Sequence, residues 1–144
     1  MKKIFVILLS LVFCLPAIAG NDKPINPDSL PAQAKDFITK HFPETKISLA
    51  TIDKEFLDTT YEVFFTDGNK VEFDKNGLWK DIDCKYSRIP DSALPVEIAR
   101  YISGNHPDRY AKEIDRDKRD YEVKLDNGLE LKFDLNFRLI GYDD

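Results

Sequence analysis

One structural unit is written twice in this 144-residue chain. Leu30-Pro31 returns as Leu94-Pro95, and Pro43 as Pro107, both 64 residues later. Ile52-Asp53 returns as Ile114-Asp115 at an offset of 62. Tyr61-Glu62-Val63 returns as Tyr121-Glu122-Val123, Asp67-Gly68 as Asn127-Gly128, and Phe73-Asp74 as Phe133-Asp134, all at 60. The offset shrinks only where loops are expected, as it does when two copies of one fold drift apart. The copies run over residues 28–84 and 90–144, joined by a short link at 85–89.

Each copy opens with a helix. Leu30, Ala34, Phe37 and Ile38 fall at helical spacing in the first, and Leu94, Ile98, Tyr101 and Ile102 in the second. Asp28 or Ser29 is the expected cap of the first helix and Ser92 of the second, with Gly104 as a left-handed stop. Helices this short need a surface to lie on. The following residues supply one. Ile47 to Asp53 alternates as a strand does, and a hairpin follows whose register can be derived. With Gly68 left-handed in a three-residue loop, Val63 faces Val71 and Tyr61 faces Phe73 on one side. In the second copy, Gly128 places Val123 opposite Leu131 and Tyr121 opposite Phe133. The other side then pairs Lys124 with Glu130 and Glu122 with Lys132, opposite charges that favour the hairpin. A fourth strand follows Asn76-Gly77 and Asn136-Phe137. Phe137 replaces a glycine, so its turn is expected to differ in backbone. The fold class is therefore α+β, a tandem repeat of helix plus four-stranded antiparallel sheet. Both helices cover one side and leave the other open.

The chain's start reads as an export signal at 1–19: Lys2 and Lys3, an apolar run from Ile4 to Leu15, and Ala17-Ile18-Ala19 before the cut. The run is too short to span a bilayer. Phe13 before Cys14 is too large for a lipid-attachment box. A short segment, 20–27, precedes the first copy. The processed chain is expected in the periplasm or secreted, without a transmembrane segment. Losing Lys2 and Lys3 takes the formal charge from −5 to −7. That sign argues against nucleic acid as a partner. Cys84 then has no cysteine to pair with and reads as an apolar filler.

These features resemble the PepSY-like, β-lactamase-inhibitor-like exported bacterial proteins. The resemblance rests on the signal, on the helix ends His41-Phe42-Pro43 and Asn105-His106-Pro107, and on the two hairpins, the first followed by Gly77-Leu78-Trp79. It implies the tandem fold of the β-lactamase-inhibitor protein, and an open sheet face that binds another protein or a peptide. It brings no catalytic residues. The inhibitor's disulfides have no counterpart here.

Chemistry is sparse. No nucleophile motif or phosphate loop appears, and His41 and His106 read as helix-end residues rather than a metal pair. Asp115 to Asp120 interleaves acids with bases and lacks the central glycine of a calcium loop, so it reads as a solvated turn. No catalytic residue, metal or cofactor is assigned. The candidate binding residues lie on the open face: Glu62, Phe64, Lys70 and Glu72 in the first hairpin, Lys124 and Lys132 in the second. Phe64 is expected as an exposed anchor and Glu62–Glu72 as an unmatched acid pair. Tyr86, Tyr142 and Trp79 are candidates to extend the patch. The expected function is a non-enzymatic exported binding protein holding an envelope protein or peptide. Alternatives are an inhibitor of an envelope or extracellular hydrolase, or a structural or small-ligand-binding envelope protein.

Overall fold

The computed structural model describes residues 21–144. The expected export signal and Cys14 lie outside them. The elements are β1 (Lys23–Ile25), α1 (Ala32–His41), β2 (Ile47–Glu55), β3 (Asp58–Phe65), β4 (Lys70–Phe73), β5 (Trp79–Asp83), α2 (Val96–Asn105), β6 (Ala111–Arg116), β7 (Asp120–Leu125), β8 (Glu130–Asp134) and β9 (Leu139–Asp143). All nine strands form one antiparallel sheet in chain order. The strands of both copies run on as one continuous sheet, to which the N-terminal segment adds β1. Among the described residues no helix is long and apolar enough to cross a membrane.

The hairpin registers match those expected: Val63 lies opposite Val71, Tyr61 opposite Phe73, Val123 opposite Leu131 and Tyr121 opposite Phe133. Gly68 and Gly128 hold φ of 89° and 90°, the left-handed region that a side chain resists. The apolar sides of both hairpins merge into one core with α1 and α2. Phe37 meets Phe73 edge-on at 5.7 Å, and Tyr101 meets Phe133 at 5.3 Å. The two halves join through β5 and β6, where Ile82 lies opposite Ile114 and both are fully buried. Each such side chain contributes roughly 1.5–3 kcal/mol of burial. Ile89 of the link is buried too, its N–H bonded to Ala111 O at 2.9 Å.

Three local expectations are corrected. Asp28-Ser29 and Ser92 do not cap the α-helices but lie in single 3-10 turns ahead of them. Asn26 caps the first turn, accepting from Asp28 N at 3.0 Å. Gly104 lies within α2, which ends at Asn105 with His106 as its cap. Phe137 adopts φ 63°, in the same left-handed region as its counterpart Gly77 at 84°. The surrounding bonds explain why. Asp134 N donates to Arg138 O, and the Asp134 carboxylate accepts from Asn136 N and Arg138 N, as Asp74 does for its own turn. Phe137 also stacks on Tyr121 at 5.3 Å. That packing offsets a backbone cost of about 1–2 kcal/mol.

Candidate functional site

Residues directly opposite each other in neighbouring strands point to the same side of a sheet. The pairings therefore define the uncovered face row by row. One row reads Thr51, Glu62, Glu72, Asp81, Asp115, Glu122 and Lys132 across β2 to β8. Five carboxyl groups stand side by side in it. The next row reads Leu49, Phe64, Lys70, Asp83, Glu113, Lys124 and Glu130. Like charges directly across strands destabilise a sheet, so the fold alone gives no reason for this arrangement.

The candidate residues all lie on this face, but two of their expected roles change. Glu62 and Glu72 are not unmatched: Lys70 Nζ stands 3.6 Å from one and 3.7 Å from the other. The register put Lys70 opposite Phe64, and its long side chain instead reaches diagonally between the acids. Phe64 is half-buried between Leu49 and Lys70, so it is less of a free anchor than expected. Lys124 pairs with Glu130 at 3.5 Å, and Lys132 with Glu122 at 3.0 Å and Asp120 at 3.1 Å. Trp79 and Tyr142 do not extend the patch. They stand opposite Phe73 and Leu131, on the helix-covered side. Tyr86 is exposed beside the Gly68 turn.

With the three lysines so engaged, the middle of the face is left to acids. Among the described residues no ion pair forms at Asp81, Asp83, Glu113 or Asp115. A groove of about 340 Å³ runs over Asp81, Glu113 and Asp115, lined by six acids and a single lysine, Lys124. Burial, then a hydrogen bond and repulsion from Glu72, push the Asp81 carboxyl up to about 7. Asp115 is raised by burial and by Glu122, and Glu62 by burial and Glu72. Burial pulls Lys70 down, yet Glu72, Glu62, Asp81 and Asp83 outweigh it and hold the ammonium above the usual lysine value.

A second signal lies on the same face. Among the described residues Thr51 Oγ1, Asp53 Oδ1 and Asp83 Oδ1 are buried without a hydrogen-bond partner. Thr51, only 6% exposed, stands opposite Glu62, and Asp53 lies two residues along the same strand. Such atoms are costly unless something pairs with them.

A larger depression of about 880 Å³ at one end of the sheet carries Lys80, Arg116, Lys118 and Arg119 against Asp58, Asp74, Asp115 and Asp117, a balanced set. Among the described residues no three His, Cys, Asp or Glu side chains are placed to hold a metal ion. His41 Nδ1 sits 2.9 Å from Ser92 Oγ and ties the halves together. Burial pushes the Cys84 thiol up to about 12, with Asp67 and Asp83 adding to it, which keeps it unreactive.

Sequence reasoning missed Asp81, Asp83 and Glu113, because the register of β5 was not derivable from a turn, and it read Asp115 into a solvated turn, whereas Asp115 lies in β6 and only the residues between Arg116 and Asp120 turn. The available signal was acids flanking a buried isoleucine in Asp81-Ile82-Asp83 and Glu113-Ile114-Asp115. It also missed the β2–β3 tip. Phe56 and Leu57 are 93% and 87% exposed there, and Leu57 is held at φ 73°.

A family model described as "Putative beta-lactamase-inhibitor-like, PepSY-like" matches residues 59–141. A solved "putative periplasmic protein" from Bacteroides vulgatus is 46% identical, with a TM-score of 0.84 over 88% of this chain and 99% of its own. A "putative calcium-regulated periplasmic protein" from Bacteroides thetaiotaomicron is 50% identical, with a TM-score of 0.82 over 85% and 97%. A further Bacteroides vulgatus "putative periplasmic protein of unknown function" is 34% identical, with a TM-score of 0.79 over 85% and 99%. No curated protein matches the chain.

Proposed function

Since the chain belongs to the PepSY-like family, we propose that it is an exported, periplasmic binding protein without catalytic activity, holding a protein or peptide against the uncovered sheet face. The repeated sequence units are then two copies of one module that together build that face. The observation that carries this reading is the row Glu72, Asp81, Asp115 and Glu122 on four consecutive strands. Its mutual repulsion weakens the sheet, and an occupant would relieve it.

The test is site-specific photo-crosslinking in living cells. A photoreactive residue at Glu122 or Phe64 is expected to trap a defined partner band, while one at Lys35 on the outer side of α1 traps none. Equal trapping at all three positions would refute the face as the binding surface.

A second reading, inhibition of an envelope or extracellular hydrolase, is favoured by the Phe56-Leu57 tip. The β2–β3 ribbon continues past the end of β4 through the pairs Asp53–Thr60, Lys54–Thr59 and Glu55–Asp58. The corresponding tip in the second half, Asp117 to Arg119, is polar, with Asp117 accepting from Asp120 N at 3.0 Å. A projecting apolar tip suits insertion into a cleft. Loss of activity of a purified hydrolase, relieved by Phe56→Ser, would identify such a target. Unchanged inhibition by that variant would exclude the tip.

A further inference from the structure

We propose that the segment held on the uncovered face is cationic, a Lys- or Arg-rich stretch of a partner protein lying over Asp81 and Asp115. This rests on the binding-face reading and adds the chemistry of the occupant.

Two independent observations point the same way. The first is charge. Each of the three lysines on the face already holds an acid, which leaves Asp81, Asp83, Glu113 and Asp115 without a cation among the described residues. The second is hydrogen bonding. Among the described residues the carboxylate oxygen Asp83 Oδ1 is buried without a partner and can only accept, whereas the Thr51 hydroxyl can accept or donate. An acidic occupant would leave the Asp83 oxygen unsatisfied. Lysine and arginine bring three and five donors each and no acceptor.

The spread of the acids decides between a basic segment and a divalent ion. Neighbouring strands lie about 4.8 Å apart, so the row distributes its charge over many ångströms. No three of these groups converge on a point that one ion could fill. Several cations on one extended segment match a distributed row, and a chelated ion does not.

Binding would also move protons. Asp81 is faced by Glu72 and Lys70 from β4, by Asp115 and Glu113 from β6, and by Asp83 on its own strand. Burial and Glu72 keep it partly protonated near neutrality. An arriving ammonium or guanidinium displaces that proton, so affinity rises with pH between about 6 and 8.

The experiment is calorimetric titration of the processed protein with three probes: a ten-residue alternating Lys-Thr peptide, its Glu-Thr counterpart, and calcium chloride. The Lys-Thr peptide is expected to bind, with proton release visible in buffers of different ionisation heat. Raising salt from 50 to 300 mM is expected to weaken it about tenfold or more. The double variant Asp81→Asn, Asp115→Asn, checked for an intact fold by its melting curve, is expected to lose about tenfold in affinity. The charge-matched helix variant Asp36→Asn, Glu97→Gln is expected to keep it. Equal loss in both double variants would reduce the effect to net charge and overturn the proposal. So would binding of calcium without the peptide, binding of both peptides alike, or binding of none. A neutral segment crosslinked at Glu122 would sink this proposal while leaving the binding face standing.

Discussion

Replacing Asp81 by asparagine should stabilise the protein at alkaline pH and do little at acid pH. Asp81 titrates at about 7 in the folded chain instead of 3.8, chiefly because burial disfavours its charge and Glu72 stands beside it. The native state therefore holds a proton that the unfolded chain releases above pH 4. By linkage, stability falls as pH rises from about 4 through 7. The full displacement corresponds to about 4 kcal/mol at about 1.4 kcal/mol per pH unit. Asp81 is only half-buried on an open face, with Lys70 near, so solvent screening reduces this to on the order of 1–2 kcal/mol. Asparagine keeps the shape and removes the charge. For a domain of this size the gain is about 3–8 °C in Tm. Thermal unfolding of both proteins at pH 5 and pH 8 measures it. The variant should melt higher at pH 8, with the gap closing at pH 5. A gap independent of pH, or a variant that is less stable at pH 8, would refute the assignment of the strain to a buried carboxylate row.

Other substitutions test neighbouring parts of the account. Lys70→Ala frees Glu62 and Glu72 from their shared cation, and should lower stability by about 1 kcal/mol at pH 8 and less at pH 5, as paired melts would show. Gly77→Ala should destabilise by roughly 2–3 kcal/mol in urea unfolding, because φ is 84° and a Cβ would meet Ala34 N at 2.8 Å and Pro31 Cβ at 2.9 Å. Leu57→Asn should stabilise by about 0.5–1 kcal/mol in the same assay, since Leu57 sits at φ 73° with an exposed side chain and asparagine tolerates that region. Ile98→Ala, emptying a fully buried site where α2 meets the shared core, should cost about 2–5 kcal/mol.

The two hairpins are legible in the amino-acid sequence because everything that sets them is local. Gly68 and Gly128 choose the loop, the loop chooses the register, and a slip of one residue would turn Val63 or Val123 outward. The helices are legible from their stripes, but not their caps: Asn26 and the 3-10 turns reflect how each helix enters its packing site. Phe137 shows the same limit. Its φ of 63° goes against residue preference, and the Asp134 carboxylate and the ring of Tyr121 hold it there.

The union of the halves and the character of the open face belong to the tertiary structure. β5 and β6 are separated in the chain by the link and α2, so no turn dictates their register. It follows from burying Ile82 against Ile114 beneath the helices. That pairing alone sets Asp81 against Asp115 and Asp83 against Glu113. Lys70 could be read as facing Phe64, but only side-chain reach in three dimensions decides that it serves Glu62 and Glu72 and leaves the central acids unpaired among the described residues. The sequence by itself determined two helices, two registered hairpins and an open charged side, since short-range turn and burial rules govern each. Tertiary structure decided where on that side the charge is unbalanced, because long-range strand pairing and side-chain reach are global outcomes of closing one core.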